Sequence, residues 1–215
     1  MENQLMIGGD LAVKEPARML ISILSKFLSK DEAYKYIKKF YPHNQFELLY
    51  NQLKQNFNCQ ETSSTGRVID AISILLGFAK NERNYKHEPA ILLERNSTKP
   101  YTDLKPVIGK SYELKDISYE LLTTPLFEYL LKNISEDKKR LAATAQLYIA
   151  QGLYEITRKL QTKRSELYLS GGIANNKIIS EYLISKGAIV NQKIPRGDAG
   201  ISLGQIFYHL ANPWN

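Results

Sequence analysis

The chain has 215 residues, 43% of them hydrophobic, with a net charge of +7 and a single cysteine. That length suits one sizeable domain or a lobe with a helical appendage. The composition excludes an intrachain disulfide, a cysteine-rich zinc finger and, since no run of about 18 apolar residues occurs, a transmembrane helix.

Met1-Glu-Asn-Gln lacks the basic and apolar parts of a signal peptide, so a cytoplasmic location is expected. The lysines are scattered and read as solvated helix faces rather than a nucleic-acid footprint. Met6 to Asp10 reads as a loop. Apolar residues recur at helical spacing from Leu11 to Leu28, and Pro16 suits the first turn of a helix starting near Glu15. Further helices are expected over Asp31–Phe40, stopped by Tyr41-Pro42, and over Gln45–Asn56. Thr62 to Arg67 is a polar turn leading into a buried helix that Gly77 can end.

From Lys80 to Asp116 the pattern weakens, and Pro89, Pro100 and Pro106 imply loops, short strands and a helix over Pro89–Arg95. Ser118–Asn133 and Lys138–Leu160 read as two more helices. Glu166–Ser170 reads as a buried strand turned by Gly171-Gly172, and a helix follows from Asn176 to Ser185. Ala188–Asn191 is the next strand, Pro195–Gly200 a loop and Ile201–Leu210 the closing helix. This alternation predicts an α/β fold whose central sheet holds both late strands.

Three segments could carry chemistry. A strand ending in Gly171-Gly172 before a helix admits close approach to the backbone, and Ser170 and Asn176 can add hydrogen bonds; a tight structural turn reads the same way. Asp198, between glycines before a helix, is either a cap or a metal ligand. In Ser63–Asp70, Gly66 permits close approach, Arg67 suits a phosphate or carboxylate, and Asp70 suits a ribose hydroxyl; a capped helix with an Arg–Asp pair fits as well. His43, His87 and His209 lack metal-pair spacing, and Cys59 has no base near it in sequence.

Taken together, these segments resemble the HypF carbamoyltransferases. Ile7-Gly-Gly-Asp10 with Lys14-Glu-Pro-Ala-Arg-Met19 is similar to that family's Pro-Gly-Gly-Asp and Arg-Glu-Pro-Trp-Arg-Met. Ser63-Ser-Thr-Gly-Arg-Val-Ile-Asp-Ala71 matches Ser-Ser-x-Gly-Arg-x-Phe-Asp-Ala. Leu169-Ser-Gly-Gly-Ile-Ala-Asn-Asn176 resembles Leu-Ser-Gly-Gly-Val-Phe-Gln-Asn, and Pro195 to Gln205 resembles Pro-x-Asn-Asp-Gly-Gly-Ile-x-Leu-Gly-Gln.

The resemblance implies one lobe of an actin/Hsp70-like (ASKHA) fold, with a central sheet and large helical content, spanning residues 1–215 as the second lobe of the carbamoyltransferase domain. It implies ATP as the nucleotide and transfer of a carbamoyl group, via carbamoyl adenylate, to the C-terminal cysteine of HypE in nickel–iron hydrogenase maturation. Carried over, Gly66, Arg67, Asp70, Ser170, Gly171, Gly172 and Asn176 would border the nucleotide, and Asp198 would be half of a metal site. No catalytic residue is assigned. The family's first lobe, with its histidine metal pair, and its acylphosphatase, zinc-finger and adenylate-forming domains have no counterpart here. The expected partners are therefore a first-lobe chain and a HypE-like acceptor, or a second copy of this chain, with no membrane and no nucleic acid.

His87 replaces a family glycine and is expected to crowd the adenine pocket, Leu147-Tyr148 replaces Phe-His, and Gly197 and Ala199 depart from the terminal motif. The alternatives are a non-catalytic nucleotide- or partner-binding module, and a relative of TsaD, whose tRNA substrate the +7 charge would suit.

Overall fold

A computed structural model of the chain describes residues 1–113, 116–160 and 165–212, with only the backbone at 111–113 and 116. β1 (Gln4–Ile7) turns through Gly8-Gly9 into the one-turn helix α1 (Leu11–Lys14) and then α2 (Ala17–Leu24). Every residue of α2 is buried, Arg18 and Ser22 among its apolar neighbours, and the helix lies at the centre of the core. The continuous helix expected from Glu15 to Leu28 is shorter at its C-terminal end.

α3 (Lys30–Ile37) starts at a capping box in which Ser29 and Glu32 satisfy each other's backbone N–H groups. α4 (His43–Lys54) leads to β2 (Cys59–Thr62), which pairs antiparallel with β1, Ile7 opposite Cys59. α5 (Thr65–Leu76) ends at Gly77, whose φ of 85° is the left-handed region that glycine adopts freely. α6 (Glu88–Arg95) follows, with Pro89 in its first turn.

Residues 118–121 are not helical. β3 (Ile108–Glu113) and β4 (Asp116–Leu121) form an antiparallel pair, and the helix expected from Ser118 shrinks to α7 (Thr124–Lys132). Ile117, Tyr119 and Leu121 alternate with polar residues, a strand period that the apolar run from Leu121 onward obscures. α8 (Lys138–Leu160) has the expected bounds and is the longest described element. It packs against α5, α7, β4 and α9 (Lys177–Ser185).

β5 (Tyr168–Leu169) and β6 (Ile189–Val190) pair in parallel, so the two late strands share a sheet as expected. That sheet is not a central one. The described residues form three separate two-stranded sheets, and the strand expected to be buried over Glu166–Ser170 is two residues long with Tyr168 exposed. The core is instead helical, built around Tyr148, Phe127, Phe46 and α2. α10 (Ile201–Ala211) closes the described chain and is exposed along its whole length. No helix among the described residues is long and apolar enough to cross a membrane.

Gly152 of α8 is where the helix core meets β4. A Cβ there would land inside the fully buried Leu121 side chain. Gly152→Val is expected to cost about 1–3 kcal/mol through overpacking. In a chain of this size each kcal/mol lowers the melting temperature by about 2–4 °C. An unchanged melting curve would show that α8 and β4 do not approach as described.

Candidate functional site

An open cleft of about 560 Å³ lies between the start of α5, the start of α6 and the turn after β5. It gathers residues from segments a hundred positions apart: Gly66 and Arg67, His87, and Ser170, Gly171, Gly172 and Asn176. Six of the seven residues expected to border a nucleotide line this one cleft. The seventh, Asp70, does not.

The β5 turn is shaped by Gly171. Its φ of 85° and ψ of −176° form a combination essentially restricted to glycine. Its N–H donates to the Arg196 carbonyl at 2.7 Å, and Arg196 Nη1 donates to the Ala174 carbonyl at 3.2 Å, which fixes the turn to the following loop. A Cβ on Gly171 or Gly172 would meet nothing within 4 Å, so both backbones face open space.

Asn176 is buried, and its amide serves the scaffold. Its Oδ1 accepts from the Ile179 N–H at 3.0 Å, capping α9, and its Nδ2 donates to Gln146 Oε1 at 2.6 Å. Gln146 in turn donates to Ser97 Oγ at 2.7 Å. Asn176 therefore positions the start of α9 at the cleft, and the side chain holding it, Gln146, carries no motif that sequence reasoning could use.

Asp70 lies behind Arg67, its side chain 3% exposed. Arg67 Nη2 approaches its Oδ2 at 2.8 Å, without the alignment of a hydrogen bond, and Arg83 Nη1 stands at 3.8 Å. Burial pushes the Asp70 carboxyl up to about 6, and the two guanidiniums pull the other way. Arg67 and Arg83 also both reach the Val13 carbonyl, at 3.5 and 3.3 Å. Asp70 thus orients Arg67 rather than facing the cleft. Two cations around one carboxylate leave a net positive charge beside it. Arg83 was not anticipated, since nothing in the polar run from Lys80 to Lys86 marks it.

His87 lines the cleft without filling it. Its backbone sits at φ 66°, in the left-handed region that glycine adopts most freely, and its side chain remains exposed at the rim. Burial and the nearby Lys86, Arg83 and Arg67 lower its pKa, which favours the neutral ring. Tyr148, where the family has histidine, is a core residue: its hydroxyl donates to the Leu122 carbonyl at 2.8 Å and accepts from the Val107 N–H at 3.2 Å.

Asp198 departs from the expected cap. It opens a 3-10 turn (Asp198–Gly200), which separates it from α10, and no side chain caps that helix. Its carboxylate instead meets Lys86 Nζ at 3.2 Å, with both side chains exposed, so the pair contributes little to stability. Among the described residues no group of three or more His, Cys, Asp or Glu side chains could hold a metal ion.

A family model described as carbamoyltransferase, Kae1-like domain, second subdomain, matches residues 1–205. A probable carbamoyltransferase HypF of Methanocaldococcus jannaschii is 40% identical across 99% of this chain and 28% of that protein. Carbamoyltransferase HypF of Rhodobacter capsulatus is 28% identical across 93% of this chain and 26% of that protein. The crystal structure of T. kodakarensis HypF superposes with a TM-score of 0.76 at 32% identity, over 97% of this chain and 29% of that one. Full-length HypF in a phosphate- and nucleotide-bound form shares the fold, with a TM-score of 0.78 at 21% identity, over 95% of this chain and 33% of that one. This chain thus spans between a quarter and a third of the length of these relatives.

Proposed function

Since the chain belongs to the HypF carbamoyltransferase family, as the second subdomain of its Kae1-like domain, we propose that it is the nucleotide-binding lobe of a two-lobed carbamoyltransferase. The lobe is of the actin/Hsp70-like type. The reaction is transfer of a carbamoyl group, activated as carbamoyl adenylate at the expense of ATP, to the C-terminal cysteine of a HypE-like acceptor in hydrogenase maturation. The observation that carries this reading is the convergence of Gly66, Arg67 and Ser170–Gly172 on one open cleft. The cleft volume lies within the range of about 300–1,000 Å³ usual for ligand sites.

The chain's own contributions are positional and electrostatic. Gly171 and Gly172 leave room for a planar or anionic group against the backbone. Arg67, oriented by Asp70, presents a fixed cation. The metal half-site at Asp198 requires ligands from the first subdomain, because a single exposed carboxylate binds a divalent ion weakly. That subdomain is also the proposed cover for α10. Ile206, Phe207, Tyr208 and Leu210 of α10 are all exposed, and an isolated helix of this length is marginal in water.

Titration calorimetry with ATP tests the reading. The chain is expected to bind ATP, and Arg67→Ala to weaken binding about tenfold or more, the loss of one charge-assisted contact. Carbamoyl-phosphate-dependent ATP turnover should appear only when the first subdomain is present, since a misplacement of about 1 Å already costs roughly 100-fold. Absence of ATP binding, or turnover by the chain alone, would overturn it.

A further inference from the structure

A second cavity, a groove of about 640 Å³ between the β1–α1 turn and α4, shares no lining residue with the cleft. Of the residues lining it, Arg18 alone is charged. Arg18 is 9% exposed, and its Nε is held at 2.8 Å by Glu15 Oε2, which also accepts from the Tyr41 hydroxyl at 2.6 Å. Its two terminal nitrogens have no hydrogen-bond partner among the described residues. One of them, Nη1, lies against Gly8, where an added Cβ would sit 3.0 Å away. A guanidinium fixed at Nε presents its terminal N–H groups in the fork that matches a carboxylate.

The rim is apolar. Leu48 is 67% exposed and Phe57 69% exposed, and both line the groove. Phe57 is held there by Asn56 and Asn58, which adopt φ of 51° and 49°. A turn that keeps an aromatic ring in water is a feature to be explained by use. Side-chain amides, Gln45, Gln52 and Gln55 among them, complete the lining. These suit the backbone N–H and C=O groups of a peptide and would lie idle against an alkyl chain.

We propose that this groove binds the C-terminal carboxylate of a polypeptide whose last residues are aliphatic. The carboxylate pairs with the terminal nitrogens of Arg18, the side chains pack on Leu48 and Phe57, and the amides engage the peptide backbone. The proposal stands on the groove and not on the transferase reading, so either can fail without the other.

NMR titration of the full chain with three probes decides it: acetyl-Leu-Leu, its C-terminal amide, and 4-methylpentanoate. The acid is expected to bind saturably. The amide, lacking the charge, should bind about tenfold more weakly or less, and so should 4-methylpentanoate, lacking the peptide groups. Arg18→Gln removes a buried ion pair and can unfold the chain, so the decisive variant is Leu48→Glu on the exposed rim. It should abolish binding of the acid while the melting temperature is unchanged. Equal binding of acid and amide, binding of 4-methylpentanoate as tight as the peptide acid, no saturable binding, or an unaffected Leu48→Glu would each overturn the proposal.

Discussion

Asp70→Ala is expected to destabilise the chain by about 3–5 kcal/mol, because it leaves buried guanidiniums without their counter-ion. Arg67 and Arg83 both converge on this carboxylate, and all three side chains are nearly enclosed. Asp70→Asn should cost less, since it keeps the side-chain volume and leaves a polar oxygen facing Arg67. The two substitutions also separate charge from pH. The folded carboxyl titrates near 6, above the usual aspartate value of about 4, so the native state holds the proton more tightly than the unfolded chain. The favourable contribution of Asp70 is therefore full below pH of about 4 and is lost as the pH rises through about 6. Over that window wild type should lose stability relative to Asp70→Asn by an amount on the order of 3 kcal/mol. Urea midpoints of both proteins between pH of about 4 and 7 measure it. A difference independent of pH would mean that Asp70 is solvated or fully neutralised by its two arginines.

Gly171→Val should lower ATP affinity by roughly 10–100-fold and stability by about 1–3 kcal/mol. The stability loss follows from the backbone, since no L side chain tolerates a φ of 85° with a ψ of −176° without strain. The affinity loss follows from space, because the new side chain would project into the open cleft. Gly172→Ala separates the two effects. Its added Cβ meets nothing and its φ is not positive, so stability should hold while close approach of the nucleotide is impaired. If both variants bind ATP like wild type, the nucleotide does not lie on the β5 turn.

Elements whose signal is local were legible in the sequence. α8 has the expected bounds because its helical period runs uninterrupted for 23 residues, and α9 starts where the Asn176 cap is written. α5 stops at Gly77 because only a left-handed residue ends it there. β1 and β2 passed unnoticed: each is four residues long and they pair across more than fifty positions, so neither carries a period of its own. The helix expected from Ser118 failed for a related reason. Its first residues form β4 because β3 lies alongside, and a partner strand is a non-local fact.

Residue types and order determined the family resemblance and pointed to six residues that line the cleft, since glycine turns, a capping asparagine and a hydroxyl-rich helix start are chemical statements readable one segment at a time. Tertiary structure alone decided the rest. Asp70 turned inward because burial beside Arg67 and Arg83 outweighs exposure to a ligand. Asp198 met Lys86, 112 positions away, instead of capping the helix three residues on. The Arg18 groove exists only because the β1–α1 turn and α4 fold against each other. Each of these depends on which charges and surfaces arrive from distant segments. A pairwise interaction across space has no signature in the local order of residues, whereas a backbone conformation or a helix cap does.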